Sequence, residues 1–211
     1  MNVEGGSMSR TVNILAFSDL HRNVDAAQAI VDASREADVV VGAGDFATQG
    51  MGLRDTIDLL RAVLAPLVIV AGNHDDLDEL RDACSAGNAI HVLHGEAATV
   101  AGIPFFGLGF EIPSGRRRDS WNRQLDEQEA AKLMRTCPPG AVLVTHSPPF
   151  GCADVQRNGA HEGSRAIRDA VMSAQPRLHL CGHIHQAWGT SGIVGRCPVH
   201  NLGPTVNWFE V

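Results

Sequence analysis

The chain has 211 residues, enough for one domain with a sizeable core, and its 44% apolar content is ordinary for a globular protein. A formal charge of -7 excludes the basic footprint of a nucleic-acid binder, and the only dense positive cluster is Arg116-Arg117-Arg118, read as a solvated loop. Five cysteines, odd in number and without Cys-x-x-Cys spacing, argue against a disulfide framework or a thiolate zinc site and fit a reducing compartment.

Residues 1–10 read as a flexible lead-in and 11–211 as a single domain. Residues 11–18 read as a buried strand, with Asp19-Leu20-His21 just beyond it. Nothing before Asp19 forms a hydrophobic signal core, and no run approaches about 18 apolar residues, so a cytoplasmic protein without a membrane span is expected. Apolar residues at Val24, Ala27, Ile30 and Val31 predict a helix over 24–36. A second strand over 38–43 ends at Gly44-Asp45, and an amphipathic helix over 53–64 stops before Pro66. The run Leu67-Val68-Ile69-Val70-Ala71 breaks at Gly72 into Asn73-His74-Asp75-Asp76. A short helix over 77–84 follows, with Asp75 or Asp76 available as its N-cap.

Residues 89–93, 97–100 and 103–108 read as an antiparallel meander of short strands. A long loop over 110–123 precedes a helix over 126–135. Strands beginning at Val142 and Leu178 lead into Thr145-His146 and Gly182-His183-Ile184-His185. Between them lie a loop and a helix over 164–174 capped by Ser164, and turn-rich β segments close the chain. Alternating strands and helices, then antiparallel β, argue an α/β protein with mixed sheets covered by helices.

Five apolar strands therefore end in Asp, Asn or His, and ligands of open α/β sheets bind beyond the carboxyl ends of the strands. Each cluster alone is weak. Gly-His-x-His is the best of them, because alternate residues of an extended segment face one way. Together the clusters offer Asp19, Asp45, Asn73, His21, His146, His183 and His185, besides His74. That inventory suits two borderline divalent cations such as Mn, Fe, Zn or Ni.

The order Asp19-x-His21, Gly44-Asp45, Gly72-Asn73-His74-Asp75, Thr145-His146 and Gly182-His183-x-His185 resembles the calcineurin-like metallophosphoesterase superfamily, and the match spans residues 14 to 185. The resemblance implies a four-layer α/β/β/α sandwich with two mixed sheets flanked by helices. It implies a first metal on Asp19, His21, Asp45 and His185, and a second on Asp45, Asn73, His146 and His183. Hydrolysis of phosphodiesters or phosphomonoesters, cyclic nucleotides among them, would then proceed by a metal-bridging hydroxide, with manganese supporting activity in vitro. His74 would contact the phosphate and protonate the leaving oxygen. The carboxylate that supports this histidine in some relatives is replaced here by Thr48.

His161-Glu162-Gly163-Ser164 resembles a segment of small relatives of the metallophosphoesterase-domain proteins, which makes His161 and Ser164 candidates for substrate contact alongside Asn73 and His74. The expected partner is a small soluble phosphoester, with no nucleic-acid polymer and no membrane; an oligomer is left open. The alternative is a non-catalytic metal-binding scaffold of the same fold that acts through protein partners.

Overall fold

The computed structural model describes residues 11–85, 89–114 and 119–211. The lead-in and the Arg116–Arg118 triplet lie outside the described residues. Two sheets are formed. In the first, β1 (Asn13–Phe17), β2 (Val39–Gly42), β3 (Leu67–Ile69) and β4 (Ile90–Val92) run parallel in sequence order, and the C-terminal β11 (Asn207–Glu210) is antiparallel beside β1. The second has the order β5 (Glu96–Val100), β6 (Ile103–Leu108), β7 (Val142–Thr145), β8 (Leu178–Cys181), β10 (Cys197–Asn201) and β9 (Ser191–Val194). Its four central strands are parallel, and each edge strand is antiparallel.

Strand periodicity explains the layering. Leu15 and Phe17 of β1 face the core under α1 (Val24–Ala33), α2 (Leu53–Leu60) and α3 (Leu77–Cys84). Ile14 and Ala16 face the opposite way, meeting Phe105, Val142, Val144, Leu178 and Leu180 of the second sheet. A third apolar cluster joins Phe106, Leu143 and Cys181 to Ala130 and Met134 of α4 (Glu127–Met134) and Ile167 and Val171 of α5 (Arg165–Ala174). Three cores separate four layers, α/β/β/α, as the family resemblance implied. Central strands buried on both faces are consistent with the continuous apolar runs of the sequence.

The predicted helices form, with two trimmed. The first ends at Ala33 and tightens into a 3-10 turn at Ser34–Glu36, and the second ends at Leu60. The expected meander is half correct. β5 and β6 are an antiparallel hairpin, but β4 pairs parallel with β3 in the other sheet. Ile90 and Val92 pack against the helix-side core of the first sheet, and the chain crosses over at Gly95, whose φ is +74°. No helix among the described residues is long and apolar enough to cross a membrane.

Candidate metal centre

The loops after β1, β2, β3, β7 and β8 meet at one end of the two sheets. Asp19, Asp45, Asn73 and His146 are all at most 6% exposed. Asp19, His21, Asp45 and His183 adopt left-handed backbone conformations with φ between 44° and 68°. Such conformations cost roughly 1–3 kcal/mol each and persist where the surroundings over-determine them.

The surroundings do so. The buried Asp75 carboxylate accepts the backbone N–H groups of Asp45 at 2.8 Å, Phe46 at 3.3 Å, Ala47 at 2.8 Å and Gly72 at 2.7 Å. It clamps the Asp45 turn onto the Gly72 turn. Asp76 is the N-cap of α3, accepting from Asp78 and Glu79, so the two adjacent carboxylates divide the capping and clamping duties. Gly72 is required by close approach: a Cβ there would collide with Asp45 Oδ1 and the Asp45 backbone nitrogen. At Gly182 a Cβ would lie 2.5 Å from Asp19 Oδ2.

The polar atoms that converge are acceptors. His21 Nδ1 lies 3.2 Å from the Ala47 carbonyl and His146 Nδ1 lies 2.8 Å from the Ala43 carbonyl. Carbonyls only accept, so both rings carry their proton on Nδ1 and turn an Nε2 lone pair inward. His21 Nε2 sits 3.2 Å from His185 Nε2 and 3.4 Å from Asp45 Oδ2, and His185 Nε2 is 3.8 Å from Asp19 Oδ1. His146 Nε2 sits 3.5 Å from Asp45 Oδ2 and 3.0 Å from Asn73 Oδ1, which is 3.1 Å from His183 Nδ1. Asn73 Nδ2 donates to Asn122 Oδ1 at 2.7 Å, which fixes the amide carbonyl inward. Three-residue sets of Asp19, His21 and His185, of Asp19, Asp45 and His146, and of His21, Asp45 and His74 each offer ligand atoms within 4.8 Å of one another. Lone pairs converging on lone pairs are what divalent cations satisfy, and the mixed nitrogen and oxygen donors fit borderline cations.

Burial would raise the Asp45 pKa, but the charge and hydrogen bond of His146, with His74 and His21, hold it well below the usual carboxylate range. Burial opposes charge on His146, yet Asp45 and then Asp19 push it up to about 9. Burial and the His146 charge push His183 down to about 3. Burial first, then the charge of Asp45, raises Asp75 to about 6.

His74 differs from the other histidines of the centre. Its Nδ1 accepts the Gln49 backbone N–H at 2.7 Å, so the neutral ring carries its proton on Nε2, which lies 4.0 Å from Asp45 Oδ2. It therefore faces the centre as a donor. A backbone N–H thus meets the His74 Nδ1, and Thr48 pairs with Met51.

Two expectations are corrected. His183 and His185 do not converge by strand alternation, because His183 is left-handed and His185 begins a 3-10 turn that follows β8. Ser164 is fully buried and committed to capping α5; its hydroxyl and the N–H groups of Arg165 and Ala166 are taken by Glu127 at 2.7, 2.9 and 2.8 Å. The chain's own carboxylate fills the place expected for a substrate anion. His161 stands at the rim, hydrogen-bonded to Asp154.

Three residues of the centre had no sequence signal. Trp188 donates its indole N–H to Asp19 Oδ2 at 3.0 Å and lies with its ring centroid 4.2 Å from that of His185. Trp121 lies 4.4 Å from His74, centroid to centroid. Asn122 donates to Glu111 Oε2 at 2.8 Å while it accepts from Asn73, so a relay of three side chains runs from Glu111 to the Asn73 amide.

A family model described as calcineurin-like phosphoesterase matches residues 12–187. The chain is 26% identical over 178 residues to a UPF0046 protein of Caenorhabditis elegans, an alignment covering 73% of this chain and 58% of that one. It is 27% identical over 243 aligned positions to metallophosphoesterase domain-containing protein 1 of Homo sapiens, covering 93% and 68%. The chain thus spans somewhat more than half of the first relative and about two thirds of the second. A dimetal phosphatase from Danio rerio shares the fold with a TM-score of 0.60 and 14% identity, over 92% of this chain and 88% of that one.

Proposed function

The chain belongs to the calcineurin-like phosphoesterase family, and from that premise we propose that it hydrolyses phosphodiesters at a two-cation centre. The observation that carries this reading is the inward convergence of acceptor atoms on Asp19, His21, Asp45, Asn73, His146, His183 and His185. Asp19, His21, Asp45 and His185 would hold the first cation and Asp45, Asn73, His146 and His183 the second, so that Asp45 would serve both. When bound, the pair supplies Lewis acidity toward phosphoryl oxygens and lowers the pKa of coordinated water.

The protein's own groups do the rest. His74 offers its Nε2–H to a non-bridging phosphoryl oxygen, stabilising charge as it builds. Asp45 accepts the His74 backbone N–H at 2.9 Å, which ties the donor to the shared carboxylate. The cleft over the centre, about 300 Å³, is lined by Glu111, Trp121, Gln156 and Glu162 beside the proposed ligands, and no Lys or Arg is among its described lining residues. That balance favours a monoanionic diester over a dianionic monoester, for which like charge on the rim is costly. Manganese is the cation proposed for activity in vitro.

The direct test is turnover of bis(p-nitrophenyl) phosphate and p-nitrophenyl phosphate by manganese-loaded protein. The diester is expected to react at least about tenfold faster in kcat/KM, the equivalent of 1.4 kcal/mol. No turnover of either ester would sink the activity, and a faster monoester would sink the preference.

The amide relay gives a separate expectation. Asn122→Ala frees Asn73 to rotate its NH2 group inward, so affinity at the second cation position should fall about 10–100-fold, as outer-shell losses do. Competition with a chelator measures it; two cations held as tightly as in the wild type would refute the orienting role.

A further inference from the structure

We propose that His161 is a second proton donor of the centre, serving the oxygen that leaves phosphorus. The proposal rests on the phosphoesterase reading above and adds a residue that this reading does not use.

Asp154 is fully buried, and its carboxylate is spent on a short hairpin: one oxygen accepts the N–H groups of Gly151 at 2.8 Å and Gly163 at 2.9 Å, the other meets His161 Nδ1 at 2.7 Å. The hairpin is closed by Gln156 to Ala160, by Glu162 to Asp154 and by a Val155–His161 bridge, so the histidine is held by backbone as well as by its partner. An ionised carboxylate only accepts, so His161 carries a proton on Nδ1 and its ring is fixed in orientation. Nε2 is left as the working atom. A buried carboxylate behind a histidine sets its tautomer and orientation, as in acid–base dyads generally.

The place is right for a leaving group. His161 lines a cavity of about 160 Å³ together with His183, Glu111 and Phe150. His183, Glu111 and Glu162 also line the cleft that contains Asp45 and His74. Glu111, Glu162 and His183 border both spaces, so the cavity that His161 lines adjoins the cleft over Asp45 at a proposed cation ligand. Arg165 stacks over Phe150 at 4.0 Å, and both line the same cavity. His74 lacks the His161 arrangement: its Nδ1 accepts a backbone N–H, and no carboxylate holds that nitrogen among the described residues. The duties separate, with His74 donating to a non-bridging oxygen and His161 to the leaving oxygen.

In the step, a water oxygen bonds to phosphorus while the bond from phosphorus to the leaving oxygen breaks. The electron pair stays with the leaving oxygen, which takes the Nε2 proton of the His161 imidazolium. The proton lost by the water passes to solvent, from which His161 is recharged.

The test compares p-nitrophenyl methyl phosphate with phenyl methyl phosphate, the poorer leaving group, in manganese-loaded wild type, His161→Ala and His161→Gln. Both variants should raise the ratio of p-nitrophenyl to phenyl turnover about 10²-fold, since a general acid contributes typically 10²–10⁴ and matters most for basic leaving groups. Both should hold two cations per chain by mass spectrometry, and added imidazole should restore part of the phenyl rate in His161→Ala. An unchanged ratio in either cation-replete variant overturns the proposal, as does loss of the cations. A cation-replete wild type that hydrolyses neither ester removes the phosphoesterase reading itself, and the proposal with it.

Discussion

Asp45→Asn should leave a folded protein that binds fewer than one cation per chain and turns over phosphodiester roughly 10³-fold more slowly. The substitution is isosteric, and the remaining amide oxygen can still accept the His74 backbone N–H that Asp45 Oδ1 accepts at 2.9 Å. What changes is the other atom. Oδ2 lies within 3.4 to 4.0 Å of the Nε2 atoms of His21, His146 and His74. An NH2 group there donates to the inward lone pairs of His21 and His146 and opposes the His74 Nε2–H, where a carboxylate oxygen would join the lone pairs around a cation. Loss of a shared ligand removes several kcal/mol of transition-state stabilisation, and each 1.36 kcal/mol is tenfold in rate. Mass spectrometry of the purified variant, followed by turnover at saturating manganese, gives both readouts. Two retained cations with activity within tenfold of the wild type would refute the shared role of Asp45.

Much of this centre was legible in the sequence because its parts are local. An apolar run that ends in Gly-Asp, Gly-Asn-His or Gly-His-x-His is one buried parallel strand with its polar end, and neither signal depends on distant residues. The α/β class followed from the alternation of strands and helices and the four layers from the family resemblance, and the three apolar clusters bear both out. The sheet assignment of β4 was not legible. Ile90-His91-Val92 alternates as an edge strand of either sheet would, and only packing against the helices over the first sheet places it there. The supporting contacts were hidden for the same reason. Asn122 is 49 residues from Asn73, and Trp188 is 169 residues from Asp19. Nothing in a lone Asn or Trp announces a partner so remote. His74 was legible as a residue and misleading as chemistry, because the missing carboxylate at Thr48 suggested an unsupported ring. The structure supplies a support of opposite polarity in the Gln49 N–H.

The second large effect is expected at a residue that touches neither cation nor substrate in the proposed scheme. Asp75→Ala removes the acceptor of four backbone N–H groups, those of Asp45, Phe46, Ala47 and Gly72. Three of them belong to the turn that presents Asp45 in its left-handed conformation. A buried donor without a partner costs about 1–3 kcal/mol, and the loss here is expected to reach about 3–5 kcal/mol once water and relaxation recover part of it. For a chain of this size that lowers Tm by about 10 °C. Asp75→Asn separates charge from hydrogen-bond count. Oδ2 takes three of the four N–H groups and Oδ1 only that of Ala47, so an amide with its carbonyl in the Oδ2 position keeps three bonds and opposes one. The asparagine variant should therefore lose less than half as much stability as the alanine variant. Thermal unfolding of the two cation-free variants decides between the accounts: equal losses would mean that the negative charge of Asp75, and not its four hydrogen bonds, holds the Asp45 turn in place.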